Sequence, residues 1–429
     1  MKEKVEELNQ NFLNARSEYN QIYKNFLYIS EHFQERFKEE YVDLFTASTF
    51  SKVVPEIVSE ESYLAVLRAS NHYRNYPSPE GNSGLIQEFY RFIKHIYHLD
   101  FSEYETMVCQ GTMQAIDAIS CILKGQVVFV MDATVTFAKS IPTANGATVV
   151  LIKTNNGILD LNDLAQKAKM YRKEDIKYLY LNYPNNPTGA QMTEKEFADV
   201  IELTQKYGIK IVHDHDICLT SYDVNRPVIS IFQNKKAILN CIEIYTLSKE
   251  FGLSGLRVGI IVGNKEFIEM IQYHNYEMNV MIPNLNQKIA ELALARIDIE
   301  DVTKRIYQSM KCLIEGFREL GWRDLAFPQA GIAYLLQVPF SFEKKYEERA
   351  GELFAFYLQR KFGVGVGPAK CNCHSKTNYI RVLSMEPKER CRNMFDRMRG
   401  HISPDMDIHE DLYDEYIKTI SVAEKYNVR

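Results

Sequence analysis

Hydrophobic positions in the middle of the chain follow two alternating patterns. Between about Glu105 and Arg305, short runs of β-branched and aromatic residues alternate with longer segments of helical spacing. The predicted strands are QVVFVM, ATVVLI, IKYLYLN, IKIVH, AILNCIEIY and RVGIIV. Thr193 and Glu196 have the spacing of a capping box, so we expect a helix to begin there and to end at the glycine of KYG. This alternation predicts an α/β domain with a mostly parallel sheet sandwiched by helices.

The two ends of the chain follow different patterns. The first forty residues contain no proline or glycine, and their apolar positions recur at helical spacing, which predicts one or two amphipathic helices. After about Arg305 the pattern gives a helix, the strands GIAYLLQVP and YIRVLS, and further helices. We therefore expect a helical arm over residues 1–60 that contributes to a small domain, a large α/β domain over residues 61–305, and a smaller α+β domain over residues 306–429.

Composition and charge exclude several classes of protein. The chain has 429 residues, of which 46% are hydrophobic and 25% are charged, as in an ordinary globular protein. Its net charge of −5 gives no general attraction for nucleic acid or anionic membrane. No apolar run reaches the ~18 residues of a membrane span, the start MKEKVEELNQ has no signal-peptide core, and the eight cysteines are scattered. These features predict a cytoplasmic protein without nucleic-acid or membrane partners.

One lysine stands in an unusual setting. In YTLSKEFGLSGLRVG, Tyr245–Gly259, Lys249 follows Ser248 in a glycine-rich turn ahead of an apolar run. A lysine that acts as a nucleophile or forms a Schiff base must present a neutral amine to one carbonyl, and such a turn suits that task. Hydroxyls at Thr246 and Ser248 and the fork of Arg257 could hold a phosphate. The alternative is an ordinary loop lysine.

Three further stretches offer compatible groups. NYPNNPTGA follows a predicted strand, and its turn would present the amide of Asn186. IKIVHDHD ends its strand at Asp214, an acid that could pair with a protonated ring nitrogen, with Asp216 as a minor rival. Gly111, Thr112 and Met113 begin an apolar helix whose backbone amides would favour a phosphate. Each signal is weak alone.

Taken in their order along the chain, these four sites resemble one family. A Gly-Thr at a helix start, NNPTG, a strand-end aspartate and SKEFGLSGLRVG resemble the fold type I enzymes that use pyridoxal 5′-phosphate, and among them the class I/II aminotransferases related to aspartate aminotransferase. The resemblance extends from about Val42 to YIRVLS. It implies transfer of an amino group between an L-amino acid and a 2-oxo acid.

The resemblance implies a role for each matching residue. Lys249 would form the Schiff base with the cofactor and move the proton of the substrate, while Asn186 and Asp214 would hydrogen-bond the phenolic oxygen and the ring nitrogen of the cofactor. Arg381 would bind the substrate carboxylate, and Tyr76 would reach the phosphate of a neighbouring subunit, which implies a homodimer. The remaining cofactor-binding residues would be Gly111, Thr112, Met113, Thr246, Ser248 and Arg257, with Phe137 stacking on the ring.

Two departures from the family pattern qualify the implied reaction. The family commonly has a tyrosine three residues after the strand-end aspartate, and this chain has Ile217 there. The stacking aromatic is expected in MDATVTFAKS, where Phe137 falls two or three residues late, so that a threonine or valine could stack instead. A lyase, decarboxylase, racemase or oxidative enzyme on the same scaffold is therefore the alternative to an aminotransferase.

Two stretches raise the possibility of a metal. His213 and His215 alternate on a predicted strand and would face the same side, but no third ligand is evident from the sequence. CNCH, Cys371–His374, has no matching pair at the distance typical of a zinc finger. We therefore predict no metal, and we expect the CNCH loop to line the mouth of the active site.

Overall fold

A computed structural model describes residues 18–46, 52–69, 75–122, 125–172, 175–278, 281–373 and 375–426. The strands are β1 Val42–Asp43, β2 Glu105–Cys109, β3 Val127–Met131, β4 Thr148–Ile152, β5 Thr154–Asn155, β6 Ile158–Leu159, β7 Lys177–Asn182, β8 Lys210–Asp214, β9 Cys241–Thr246, β10 Gly259–Gly263, β11 Ala333–Gln337, β12 Val364–Gly365, β13 Gly367–Pro368 and β14 Tyr379–Leu383. The α-helices are α1 Glu18–Phe37, α2 Glu60–Ala69, α3 Ser83–Tyr97, α4 Thr112–Ile122, α5 Phe137–Ala144, α6 Leu161–Ala168, α7 Glu194–Lys206, α8 Lys265–Glu277, α9 Asn284–Arg296, α10 Ile299–Glu319, α11 Phe340–Tyr346, α12 Ala350–Phe362, α13 Lys388–Met398 and α14 Tyr413–Tyr426. No helix within these ranges combines the length and apolar character needed to cross a bilayer.

The centre of the fold is a seven-stranded sheet in the order β2-β10-β9-β8-β7-β3-β4. The pairs from β9 to β4 are parallel, whereas β10 is antiparallel to both of its neighbours. Strands β3, β7, β9 and β10 are buried along their whole length, as expected for a sheet covered on both faces. The predicted α/β fold with a mostly parallel sheet is confirmed.

Individual elements differ from the prediction in two places. The predicted strand AILNCIEIY is wrong in its first part, because residues Lys235–Leu239 form a 3₁₀ helix that is capped by the Asn234 side chain. The strand begins only at Cys241. The sequence patterns also missed β2, which is short and lies beside β10.

Helix α7 begins where its capping signal predicts. The Thr193 side chain accepts a hydrogen bond from the Glu196 backbone, and the Glu196 carboxylate accepts one from the Thr193 backbone at 2.7 Å. Each group satisfies a backbone N–H that would otherwise lack a partner at the helix start. The cap therefore fixes the residue at which the segment after NNPTG becomes helical, and strand β8 follows the helix.

A second apolar cluster joins the start of the chain to its last third. It contains residues of α1 together with residues of α10, α12, α13 and α14. Phe26 of α1 lies against Tyr416 of α14 with ring centroids 6.1 Å apart, and Phe33 lies against Phe356 of α12 at 6.0 Å. The antiparallel strands β11, β14 and β13 form a small sheet in this region. The domain boundaries after residues 60 and 305 stay a prediction.

We predict that Gly259→Ala destabilises the protein by about 1–3 kcal/mol, the usual cost of overpacking a core. A Cβ at this position would lie 2.9 Å from the Gly111 Cα and 2.9 Å from the Tyr245 carbonyl oxygen, because β10 runs tightly between β2 and β9. Unfolding in urea followed by circular dichroism measures the change. Gly255→Ala is the control, since no atom lies within 4 Å of its added Cβ; equal losses in both variants would contradict the packing argument.

Candidate active site

The carboxyl ends of the parallel strands meet at one edge of the sheet and surround a cavity of about 630 Å³. β7 ends at Asn182, β8 at Asp214 and β9 at Thr246, and each strand leads directly into one of the predicted motifs. The predicted residues that line this cavity are Gly111, Thr112, Met113, Phe137, Thr246, Ser248, Lys249 and Arg257. Stretches far apart in sequence are therefore brought together here.

One corner of the cavity has the features of an anion site. Because β10 is antiparallel, its beginning lies beside the ends of β2 and β9, and Arg257 stands two residues before it. The exposed Arg257 guanidinium donates to the carbonyl oxygens of Ser254 at 3.0 Å and Gln110 at 3.1 Å, and it forms no ion pair among the residues that the structure describes. Gly111 has φ +81°, and α4 begins directly after it. A helix start beside an unpaired guanidinium fits a phosphate.

Asp214 lies beside Thr112, which lines the cavity, and is almost completely buried. Its carboxylate accepts hydrogen bonds from the Thr112 hydroxyl at 3.0 Å and from the Tyr180 hydroxyl at 2.5 Å. Burial raises the pKa of Asp214 well above its usual range, and the neighbouring Asp216 raises it further. A protonated ring nitrogen opposite this carboxylate would favour its ionised form, so the position fits the predicted partner of the ring. The Thr112 hydroxyl is occupied here, which leaves its backbone amide for the phosphate.

Lys249 lies in the same cavity and is partly buried. Burial lowers the pKa of its amine, while Asp216 and then Asp214 oppose that shift. A lowered pKa increases the fraction of neutral amine, which is the form that attacks a carbonyl.

A second chamber of about 390 Å³ adjoins the first and shares Lys249 and Phe137 with it. Arg381 is buried in its wall, where one guanidinium nitrogen donates to the Asn186 Oδ1 at 3.2 Å and another to the Phe45 carbonyl at 3.0 Å. The third nitrogen, Nε, has no hydrogen-bond partner in the part of the chain that the structure describes. No carboxylate within the described ranges forms an ion pair with Arg381. A buried guanidinium without a carboxylate partner favours the binding of an anionic ligand.

Two predicted residues do not line either chamber. Asp214 is adjacent to the first chamber through Thr112, whose hydroxyl donates to its carboxylate. Tyr76 lies away from the cavity and is 86% exposed, so its predicted role toward a neighbouring subunit stays a prediction. Phe137 and Met113 line both chambers.

Several residues of the site carried no usable signal in the sequence. Tyr23 of α1 lines both chambers, although the pattern of the N-terminal arm indicated only packing. Phe45 lies against it, with ring centroids 5.2 Å apart. Asp43 fixes this turn by accepting hydrogen bonds from the backbone amides of Phe45 and Thr46, both at 2.9 Å. These contacts join segments far apart in sequence, which periodicity cannot reveal.

The HDHD stretch has a possible third ligand that the sequence did not show. His213, His215 and Glu243 have their polar atoms within 4.8 Å of one another, and all three are buried. His213 contacts Glu243 at 2.8 Å and the Tyr183 carbonyl at 3.1 Å, while His215 contacts the same carbonyl at 2.9 Å. Burial lowers the pKa of His215 to about 4, and its Nε2 lies 2.7 Å from the Tyr97 hydroxyl, which donates to the Cys218 carbonyl at 2.5 Å. Every ring nitrogen therefore has a protein partner, which favours a structural network over a metal site.

The CNCH loop lies beside the active site. Cys371 and Cys373 are buried, and Asn372 between them lines the second chamber. The Asn372 carbonyl accepts a hydrogen bond from the Thr134 amide at 2.9 Å, which attaches the loop to the segment after β3. His374 lies outside the described residues.

Glu250 attaches the Lys249 turn to the loop that follows β8. Its buried carboxylate accepts hydrogen bonds from the amides of Cys218 at 2.7 Å and Leu219 at 3.0 Å, and from the Thr220 hydroxyl at 2.7 Å. Burial raises the pKa of Glu250 to about 7, whereas these donors favour the ionised form. The sequence gave no indication of this contact.

We predict that Glu250→Gln lowers the free energy of unfolding by about 1–3 kcal/mol, because an amide NH₂ would replace one of two acceptor oxygens and leave buried donors unpaired. Urea unfolding at pH 8 measures the loss. Glu202→Gln, on the exposed face of α7, is the matched control and should change stability by less than about 0.5 kcal/mol. A variant as stable as the control would contradict the role of Glu250.

Comparisons with known proteins agree with this architecture. The substrate-bound structure of BacF from Bacillus subtilis superimposes with a TM-score of 0.74 at 20% identity, covering 86% of this chain and 92% of BacF. A single mutant of aspartate aminotransferase from Thermus thermophilus gives a TM-score of 0.72 at 19% identity, covering 87% and 95%. The chain therefore has the aspartate aminotransferase-like fold, as the resemblance implied.

Sequence comparison identifies the family. Residues 48–397 match the family described as aminotransferase class I and II. L-glutamine–4-(methylsulfanyl)-2-oxobutanoate aminotransferase from Bacillus subtilis is 30% identical over 350 residues, which are 79% of this chain and 83% of the relative. LL-diaminopimelate aminotransferase from Halothermothrix orenii is 28% identical over 382 residues, 85% and 92% of the two chains. The chain belongs to the class I and II aminotransferase family, and the predicted aminotransferase function is confirmed.

Proposed function

We propose that this aminotransferase uses pyridoxal 5′-phosphate attached to Lys249. The observation that carries the proposal is the position of Lys249 between an anion site on one side and, on the other, the buried Arg381, which forms no ion pair within the described ranges. When bound, the cofactor supplies the carbonyl that takes up the amino group and the ring that withdraws electrons. The residues of this chain bind and orient it.

Different polar groups around Lys249 would bind different parts of the cofactor. Arg257, the start of α4, Thr246 and Ser248 would bind the phosphate. Asp214 would hold the ring nitrogen. Asn186 would hydrogen-bond the phenolic oxygen through its amide, whose oxygen is held by Arg381 at 3.2 Å. Phe137, which lines both chambers, would pack against the ring.

Arg381 would bind the carboxylate common to the amino acid and the 2-oxo acid. None of the described residues hydrogen-bonds its Nε, and Phe45 and Asn186 fix the other two nitrogens. A carboxylate in the second chamber would satisfy the guanidinium and place the substrate α-carbon near Lys249. The Lys249 amine could then take a proton from that carbon and return it.

The walls of the second chamber favour an apolar substrate side chain. The charged residues of the chamber are Arg381, Lys249 and Asp216, and more than half of its other lining is apolar, namely Phe45, Met113, Val135, Phe137, Ile332 and Leu383. Because Arg381 would hold the substrate carboxylate and Asp216 faces Lys249, a charged side chain there would lose its hydration without a free partner. One relative is named for 4-(methylsulfanyl)-2-oxobutanoate, whose thioether is apolar. We therefore propose an amino acid with an uncharged, apolar side chain as the substrate.

A homodimer is also part of the proposal. Tyr76 is 86% exposed on the segment before α3, where it is available to a second copy of the chain. In that arrangement its hydroxyl would reach the phosphate in the partner subunit. A cytoplasmic location stays a prediction.

We expect borohydride reduction of the protein loaded with pyridoxal phosphate to fix the cofactor on Lys249, which peptide mass spectrometry would detect. Lys249→Ala should lose the visible absorbance and about 10²–10⁴-fold in transamination rate, because the proton-transferring group is gone. Lys265→Ala, exposed on α8, is the control and should keep both. Recovery of the cofactor on another lysine would contradict the assignment.

We expect methionine, leucine or phenylalanine to exceed aspartate and lysine as amino donors by at least about tenfold in kcat/KM, since about 1.4 kcal/mol of lost hydration suffices for that ratio. The measurement is a steady-state panel of amino acids with one 2-oxo acid acceptor. Arg381→Gln should raise the KM of every donor, while Arg305→Gln, exposed on α10, should change none. A preference for aspartate or lysine would contradict the apolar chamber.

A further inference from the structure

A second acid of the site faces Lys249, and neither the family resemblance nor the relatives assign it a role. We propose that Asp216 is a positioning residue for Lys249, whose carboxylate acts across the cavity as the counter-ion that controls the charge of the Lys249 amine. The proposal rests on the proposed function for its chemical purpose. Its first test concerns the amine alone and does not require the protein to bind pyridoxal phosphate.

The direction of Asp216 follows from the alternation of side chains along β8. His213 and His215 lie on one side of the chain, where their rings approach to 4.9 Å, and Asp214 lies on the other. The alternation continues past the strand end, so Asp216 returns to the side of Asp214. Asp216 accordingly lines both chambers together with Lys249.

Ile217 has the opposite orientation. It is 3% exposed and packs in an apolar cluster that includes Val53, Ile306 and Leu383. The position at which the family commonly has a tyrosine therefore contributes an apolar contact between segments and no hydroxyl to the site. The acid before it, Asp216, occupies the wall of the cavity.

The loop that carries Asp216 is fixed at both ends. The Asn182 side chain donates to the Asp214 carbonyl at 3.1 Å, and the same amide lowers the pKa of Asp216 by hydrogen bonding. After Asp216, the Glu250 carboxylate holds the amides of Cys218 and Leu219. Because Glu250 is the neighbour of Lys249 in the chain, these hydrogen bonds attach the loop of Asp216 to the loop of Lys249. They therefore fix the position of the Asp216 carboxylate relative to the Lys249 amine.

Among the described residues, four charged groups act on the Lys249 amine. Asp216 and Asp214 favour its protonated form, with Asp216 the stronger, whereas Arg381, Arg257 and burial favour its neutral form. Burial raises the pKa of Asp216 itself, while Lys249 lowers it. Burial and the two arginines lower the pKa of Lys249, and without the charge of Asp216 only Asp214 would oppose this shift. The pKa of Lys249 should then fall.

The first experiment measures the pKa of Lys249 in the full chain after removal of the cofactor. Competitive labelling with acetic anhydride across a range of pH, read by mass spectrometry of the Lys249 peptide, gives the midpoint. Asp216→Asn should lower this midpoint by about one pH unit, which is about a tenfold gain in labelling at neutral pH. Asp214→Asn should lower it less, and Asp199→Asn, exposed on α7, should leave it unchanged.

Two further variants separate charge from structure. Asp216→Glu keeps the carboxylate and should retain the midpoint of the natural chain to within a few tenths of a pH unit. If Asp216→Asn does not fold, as judged by circular dichroism, Asp216→Ser removes the same charge with a smaller side chain and replaces it. An unchanged or raised midpoint in the folded neutral variant would overturn the proposal, as would a larger effect of Asp214→Asn.

The second experiment uses the protein loaded with pyridoxal phosphate. The pH at which its visible absorbance changes should fall by about one unit in Asp216→Asn and return in Asp216→Glu. A purely structural role of Asp216 would lower stability without moving either midpoint. If no cofactor binds to Lys249, the proposed function fails while the labelling experiment still decides the role of Asp216.

Discussion

The site depends on one geometric constraint, the convergence of parallel strand ends at a single edge of the sheet. Asn182, Asp214 and Thr246 are the last residues of three adjacent strands, so the loops that follow them must enclose a common space. The antiparallel strand β10 completes this space, because its beginning lies where its neighbours end. Gly259 allows this close approach, and Arg257 is placed at the helix start after β2 as a result.

The charges gathered at this edge balance only in part. Among the residues that the structure describes, Arg381 forms no ion pair with a carboxylate, and the Arg257 guanidinium is held by carbonyl oxygens. These two guanidinium groups match a ligand with a phosphate and a carboxylate. Asp214 and Asp216 lie near the amine and the predicted ring nitrogen. The three cationic groups are thus arranged along the cavity in the order Arg257, Lys249 and Arg381, which would orient a ligand that has a phosphate at one end and a carboxylate at the other.

Much of this arrangement could be predicted from sequence, and the remainder could not for identifiable reasons. Lys249, Asn186 and Arg257 lie in short motifs whose turns and glycines are local, so their positions in the cavity follow once the strands are recognised. Tyr23, Phe45 and Glu250 act through neighbours that are distant in sequence, and no periodicity reports such contacts. The 3₁₀ helix before β9 was missed because its apolar residues resemble a strand, while a side-chain cap at Asn234 turns the chain.

Helix α1 connects the active site to the far end of the chain. It carries Tyr23 into both chambers, but it is held there by α12 and α14, which follow the large sheet in the chain. Because a chain emerges from the ribosome N-terminus first, the apolar face of α1 can be covered only after these later helices have been synthesised. A nascent chain that contains the large sheet but not yet α12 and α14 would therefore have an unfinished active site.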